Sequence, residues 1–329
     1  MVLVTGDGVG TAGRETRTVD AAAGGPGPVT GRRDDDETAG AGAGGARAGG
    51  ARAGGARADA AAAGAVAASG AGVPAARGEP AVPARLEPSD AGGLSAEAAL
   101  ELLRTGEIAV EGRLVEASNA TLFCAVSAGG ARAHCVYKPV RGERPLWDFP
   151  DGTLAAREYA AYELSEQLGD GLVPPTVLRD GPFGVGMAQL WIDVDETVDV
   201  VDLVRAGDRR LRRVALFDAV INNADRKGPH LLPAPSGRVY AIDHGVTFHG
   251  DDKLRTVLWN WRGQRFDAAE CALLDGLGAA LDGAFGEKLD DLLTQSEIAA
   301  LAARVDRLRS RGRFPQPSDD WPAIPWPPF

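Results

Sequence analysis

The chain has 329 residues, a formal net charge of −11 and three cysteines, and its glycines are concentrated in the first third. Most of the acidic excess falls after residue 90, which argues against nucleic acid as a partner and against adsorption to anionic membranes by bulk charge. Cys124, Cys135 and Cys271 show no CxxC or Cys/His metal spacing, no apolar run reaches the ~20 residues that cross a bilayer, and no basic-then-apolar leader is visible. A cytoplasmic protein without a transmembrane segment is expected, with Cys124 and Cys135 as buried structural thiols.

Residues 1–88 read as a disordered Ala/Gly/Arg-rich tail. Their Ala-Gly-Gly-Ala-Arg repeat lacks the large apolar side chains that would offset ordering entropy. Its spaced arginines fit a weak tether for an anionic partner, but dispensable low-complexity sequence explains them better. A β-rich part is expected over 89–192. It opens with a helix in "LSAEAALELLRTG", capped by Ser95 and stopped by Gly106. Three strands follow ("IAVEGRLVEA", "TLFCAVSA", "ARAHCVYKP"), then a helix over Gly152–Leu168, then two strands ("PTVLRD", "GVGMAQLWID"). Residues 193–329 read as mainly helical. They hold a short helix in "ETVDVVDLVRAG", a longer one in "RRLRRVALFDAVINN" with Leu211, Val214, Phe217 and Ile221 on one face, and a hairpin in "LLPAPSGRVYAIDHG" turning at Pro235-Ser236-Gly237. Two further helices ("DAAECALLDGLGAAL", "TQSEIAALAARVDRLRS") precede a Pro/Trp-rich end whose Trp321 and Trp326 are expected to pack on the helical part.

Three stations carry the chemistry. Lys138 ends the third strand of a chain with only four lysines among 35 basic residues. A compact ammonium on a flexible stem suits a phosphate, although a strand-edge lysine can also simply face solvent. On the next helix, 100° per residue places Glu158 in the stripe of Leu154, Ala161 and Leu168, while Glu163 points the other way, into solvent. A carboxylate on a buried face needs a counter-charge, and Lys138 is the nearest cation in sequence. The alternative is a half-exposed Glu158 in a fraying first turn. The third station is "NNADRKGPHLL" together with "YAIDHG". Asp225 and Asp243 stand at the two ends of the hairpin, so both carboxylates can face one site, where magnesium takes one or two carboxylates plus phosphates. Turn capping is the bland role for either aspartate.

Lys138 on the third strand, Glu158 on the following helix, "NADR", a hairpin and "AIDHG" together resemble a protein-kinase-like fold. More narrowly they resemble the phosphatidylinositol 3-/4-kinase superfamily, with "LWNWRG" similar to the Trp-rich segment of its type II 4-kinases. The chain is also identified as similar to an actinobacterial family of unassigned function distantly related to those kinases. The resemblance spans about Glu107 to Trp261. It implies an α+β two-lobe fold, with an antiparallel five-stranded N-lobe bearing one helix and a mainly helical C-lobe. It implies ATP with Mg2+ or Mn2+ and an unidentified acceptor, whether lipid, protein or small molecule. Lys138 would contact the α/β-phosphates and Glu158 would hold it. Asp225 would be the base or would orient the acceptor, Lys227 would reach the γ-phosphate, and Asp243 would bind metal.

The hinge would lie at Met187–Trp191, with adenine bonding to backbone at Gln189, Leu190 and Trp191. "ASNAT" (Ala117–Thr121) takes the place of the phosphate-covering loop without a glycine, leaving Ser118, Asn119 and Thr121 as its polar groups. His230 departs from the family's asparagine, and imidazole favours manganese over magnesium. Two other readings remain open: a nucleotide-binding pseudokinase that regulates a partner, and a kinase-fold enzyme that transfers AMP. No palmitoylation patch accompanies the motifs, so a lipid acceptor is not implied.

Overall fold

The computed structural model describes residues 3–5, 86–114 and 119–329. The tail expectation over 1–88 therefore falls almost entirely outside the described residues, as does Ser118. The exceptions are residues 86–88, where Leu86 is buried in a core shared with Leu102 and Leu103, and Leu3–Thr5. As strand β1, Leu3–Thr5 pairs antiparallel with the edge of the sheet, Leu3 opposite Leu114. The "LVT" at residues 3–5, with strand-favouring Val4 and Thr5, thus finds a ladder within the expected tail.

Helix α1 (Ala96–Thr105) begins where expected. Ser95 Oγ accepts the Ala98 N–H at 3.2 Å, and Gly106 ends the helix. Strands β2 (Glu107–Leu114), β3 (Leu122–Ala128) and β4 (Ala131–Pro139) form an antiparallel meander. The β3–β4 turn is Gly129-Gly130 with φ of 57° and 87°, the left-handed pair that a tight hairpin requires. Helix α2 (Leu154–Leu168) comes next, then β5 (Thr176–Gly181) and β6 (Gly184–Leu190). The sheet order is β1-β2-β3-β4-β6-β5, antiparallel throughout.

The sheet therefore has six strands where five were expected. Two helices serve it, the opening α1 and the inserted α2, both at the expected places. Ala99, Leu102 and Leu103 of α1 share a core with Cys124, Val126, Cys135 and Tyr137, all on one face. Alternation along β4 then sends Lys138 to the other face. Close approach at that point depends on Gly186, where an added Cβ would lie 2.6 Å from the Lys138 carbonyl oxygen.

The helical part contains α3 (Val200–Ala206), α4 (Arg210–Ile221), the β7–β8 hairpin (Leu231–Pro233, Val239–Ala241), α5 (Ala268–Leu281), α6 (Ala284–Leu289) and α7 (Gln295–Arg311). Its core joins Leu211, Val214, Phe217 and Ile221 of α4 with α5, α7 and the inner face of α2. The α+β class and two-lobe order hold, with the expected hairpin closing through Gly237 N–H to Ala234 O at 2.8 Å. The short α6 was not expected. It corrects the placement of Glu163, which does not face solvent: Lys288 of α6 pairs with it at 2.5 Å. Arg157 of α2 reaches Glu297 of α7 at 2.5 Å and the Thr247 carbonyl at 2.9 Å, which ties the lobes together through a buried side chain. Cys124 and Cys135 are buried opposite one another, as free thiols.

Candidate active site

The Lys138 ammonium bridges two carboxylates that are far apart in sequence. Its Nζ lies 2.5 Å from Glu158 Oε1 and 2.7 Å from Asp243 Oδ1. Glu158 is 1% exposed, so it belongs to the buried stripe and not to a frayed end. The start of α2 is held from a distance: Thr153 makes no cap, and the Glu143 carboxylate accepts the N–H groups of Leu154 and Ala155 instead. Burial opposes charge on all three groups. For Lys138 it is outweighed by Asp243 and Glu158, so the ammonium is held firmly protonated. For Asp243 the Lys138 charge prevails and keeps the carboxyl well below the usual carboxylate range. Glu158, the most enclosed, is pushed upward by desolvation despite Lys138. Asp243 has a left-handed backbone (φ 61°), uncommon for a non-glycine residue and better tolerated by Asp than by most. Its neighbour His244 donates its backbone N–H to Glu158 Oε2 at 2.8 Å.

The loop after α4 is shaped by a fully buried ion pair. Asp218 Oδ1 lies 3.0 Å from Arg226 Nη2, and also accepts from Asn223 Nδ2 at 3.0 Å; Thr256 Oγ1 donates to Oδ2 at 3.2 Å. The same Arg226 donates to the Ile242 carbonyl at 2.7 Å and meets His244 Nε2 at 2.7 Å. Arg226 thus braces the loop against the segment just after β8 that carries Asp243. Asn223 Oδ1 accepts the Asp225 N–H at 2.9 Å, and Lys227 Nζ lies 3.0 Å from Asp225 Oδ2. Burial raises the Asp225 pKa, and Lys227 opposes it. His230 Nε2 lies 3.2 Å from Asp243 Oδ2, and burial pulls its pKa down to about 4, which leaves a neutral ring beside the carboxylate.

Asp225, Asp243, Lys138, Glu158 and Asn119 line one cleft, whose enclosed space is about 50 Å³. That is room for water, not for a triphosphate. Not every residue singled out from the sequence converges here. Thr121 is buried and its hydroxyl turns to the Asn119 carbonyl; Asn119 itself spends its Oδ1 on the Arg144 N–H at 2.8 Å. The expected hinge residues do not line the cleft. Gln189 is buried with its amide on Thr176, the Leu190 N–H goes to Pro175 O, and the Trp191 N–H goes to His134 O. Strand β6 keeps pairing as far as these residues, so their donors are already used. The face beyond Lys138 holds an aromatic cluster instead. Phe123 stacks on His134 with centroids 4.9 Å apart, and Trp191 meets Phe123 edge-on at 4.9 Å.

For a divalent cation the protein offers Asp243 and His230, with Asp225 across the cleft. Among the described residues, no three His, Cys, Asp or Glu side chains close a shell by themselves. One carboxylate and a neutral imidazole fit an ion whose remaining ligands are phosphate oxygens and water. Three important residues escaped the sequence reading: Asp218, Glu143 and His244. Asp218 could have been found, because it falls seven residues after Leu211 in the apolar stripe of α4, by the logic that selected Glu158. Trp321 packs as expected, 4.8 Å from Lys253 Nζ, whereas Trp326 is 85% exposed and does not.

No family model matches the chain. Among solved structures, the crystal structure of a Helicobacter pylori proinflammatory kinase, CtkA, aligns with a TM-score of 0.38 and 13% identity over 64% of this chain and 94% of that one, too distant a likeness to bear on activity. Protein Rv2133c of Mycobacterium tuberculosis is 44% identical over 262 residues, which span 69% of this chain and 94% of the relative. At that identity and coverage, the chain belongs to the family of the mycobacterial protein Rv2133c.

Proposed function

We propose that this protein is an ATP- and metal-dependent phosphotransferase of kinase-like design acting on a hydroxyl acceptor. The observation that carries the reading is the bridge from Lys138 to both Glu158 and Asp243, with Asp225 on the same cleft and Lys227 paired to it. Charged groups from β4, α2 and two loops meet where a phosphate chain would need a cation and a metal would need hard oxygens. Asp243, with His230 beside it, would hold a divalent ion, which when bound supplies charge neutralisation for the phosphates. Lys138 would exchange Asp243 for phosphate oxygen while Glu158 keeps its stem in place. Asp225, a stronger base than a free aspartate, would take the proton of the acceptor hydroxyl as the new O–P bond forms and the bond to the departing diphosphate breaks. Lys227, paired with Asp225, would meet the transferred group. The Phe123–His134–Trp191 cluster offers adenine a stacking face in place of the committed hinge donors. Membership of the phosphatidylinositol 3-/4-kinase superfamily, which the motifs resemble, is the finer form of this reading and does not name the acceptor.

Regulation without turnover has a specific observation in its favour: His230 contacts the metal-side carboxylate where the kinase pattern has asparagine. Thermal unfolding with ATP and Mg2+ or Mn2+, beside Asp243→Asn, tests binding. A ligand at about 100 times its Kd adds about 2.7 kcal/mol, or about 5–10 °C for a domain of this size. Released ADP identifies phosphoryl transfer, pyrophosphate identifies AMP transfer, and a shift without either product identifies the regulator. No shift with any nucleotide–metal pair would overturn the reading.

A further inference from the structure

A second cavity, of about 600 Å³, opens on the helical lobe away from the cleft, between α7, the segment around Asp251–Leu254 and the stretch Arg313–Trp321. Its size falls in the range of small-molecule pockets, whereas the cleft in this form is far smaller. Arginines dominate its chemistry: Arg304, Arg307 and Arg311 stand at spacings of three and four along α7, and Arg313 follows past the helix end.

These guanidinium groups are incompletely satisfied. The Arg304 side chain is 5% exposed; it donates to the Val220 carbonyl at 3.2 Å and the His249 carbonyl at 2.8 Å. Its Nε has no hydrogen-bond partner, the nearest acid being Asp252 Oδ1 at 3.7 Å. Asp252 is already gripped by Arg307 at 2.7 and 2.9 Å. Burial holds the Arg304 pKa down at about 10, the mark of a cation short of counter-charge. Arg313 gives one N–H to the Gly263 carbonyl at 2.9 Å, and Arg311 has no hydrogen-bonding or ionic partner among the described residues. The other acids of the lining, Asp251 and Asp320, are solvent-exposed. A buried donor left unmatched is costly, and a forked guanidinium is shaped for phosphate.

We propose that this cavity is a binding site for a small phosphorylated compound, with Arg304 at its floor and Arg307, Arg311 and Arg313 as its clamp. The enclosure by Trp321 favours a small molecule over a phosphorylated protein. The floor is joined to the loop that carries Asp225: the His249 carbonyl that accepts from Arg304 also accepts from Asn222 Nδ2 at 3.0 Å, and Asn222 closes α4 just ahead of that loop.

Calorimetric titration of the full chain in EDTA, with inorganic pyrophosphate and with glycerol 3-phosphate as probes, tests the site. Arg311→Gln with Arg313→Gln, both on exposed positions, is expected to weaken binding at least tenfold while leaving the unfolding midpoint unchanged. Arg304→Gln should do the same if it folds, and Lys138→Met in the cleft should leave probe affinity as it is. Tighter binding of one probe assigns the source as free polyphosphate or organic phosphate, and either sustains the proposal. Failure of both probes to bind at millimolar concentration, equal affinity in the arginine variant, or loss of binding in Lys138→Met would overturn it.

Discussion

Replacing Asp218 with leucine removes the counter-charge of a wholly buried Arg226 and strands two further donors, on Asn223 and Thr256. The wild-type carboxylate takes Arg226 Nε at 3.1 Å and Nη2 at 3.0 Å, Asn223 Nδ2 at 3.0 Å and Thr256 Oγ1 at 3.2 Å, with both charged side chains at 0% exposure. No water can reach the orphaned guanidinium, so the expected loss is that of a broken buried pair, about 3–5 kcal/mol. That is a large share of the roughly 5–15 kcal/mol that holds a typical domain folded, and it corresponds to a midpoint lowered by about 6–20 °C. Urea denaturation followed by tryptophan fluorescence measures it. A second variant separates the charge from the shape. Asp218→Leu with Arg226→Met leaves no buried ion and is expected to recover most of the loss, although the bonds from Arg226 to Ile242 and His244 go with it. A single variant within about 1 kcal/mol of wild type, or a double variant no more stable than Asp218→Leu alone, would refute the assignment of Arg226 as a brace held by Asp218.

Acid sensitivity should follow from His230, whose folded pKa of about 4 lies below its ordinary 6.5. The unfolded chain takes up this proton first, so the contribution is complete above pH 6.5, declines as pH falls towards 4 and is gone below it, on the order of 3 kcal/mol in all. Urea midpoints at pH 7 and 4.5 in EDTA should converge more closely in His230→Asn than in wild type; an unchanged gap counts against the imidazole. Lys288→Ala removes a half-exposed ion pair with Glu163 and should change stability by less than about 1 kcal/mol in the same assay, a larger loss showing that α6 depends on it. Finally, the cleft sets four carboxylates (Glu143, Glu158, Asp225, Asp243) against Lys138 and the Lys227 paired with Asp225, with His230 neutral, so ATP should bind at least tenfold more weakly in EDTA than with Mg2+ or Mn2+. Equal affinities by calorimetry would contradict that balance of charge.

The sequence made the elements legible because their signals are local. Ser95 and Gly106 bracket α1, paired glycines turn β3 into β4, and the apolar stripe of α4 survives as its buried face. The charged contacts were legible where one periodic argument sufficed: Glu158 in a buried stripe demanded a cation, and Lys138 supplied it. What stayed hidden depends on pairing at a distance. That Leu3–Thr5 completes the sheet, or that Lys288 reaches Glu163, cannot be read from either partner alone. The partners of the expected hinge residues stayed hidden for a related reason. Backbone donors at Leu190 and Trp191 are free or bonded according to where the pairing of β6 with β5 and β4 ends, and no side chain in the sequence records that end. His244 holds Glu158 through its backbone N–H, which every residue but proline carries, so its residue type did not mark that contact.

The connected polar groups of the lobe junction make the strongest case that the cleft is there to do something. From Asp218 the chain of contacts runs to Arg226, to His244, through the His244 N–H to Glu158, and on to Lys138, Asp243 and His230. Buried ion pairs are weak contributors to stability, since desolvation offsets most of their attraction and apolar replacements often do as well or better. A scaffold selected only to fold would gain little from a network of this length. Nor does the network end in the core: it ends at Asp243, whose side chain is 46% exposed to the cleft and whose backbone sits in the left-handed region. A polar path that is dry at Asp218, enclosed at Glu158 and open at Asp243 holds one carboxylate and one ammonium in fixed positions towards solvent. That is the arrangement a charged ligand requires, and stability alone gives no reason for it.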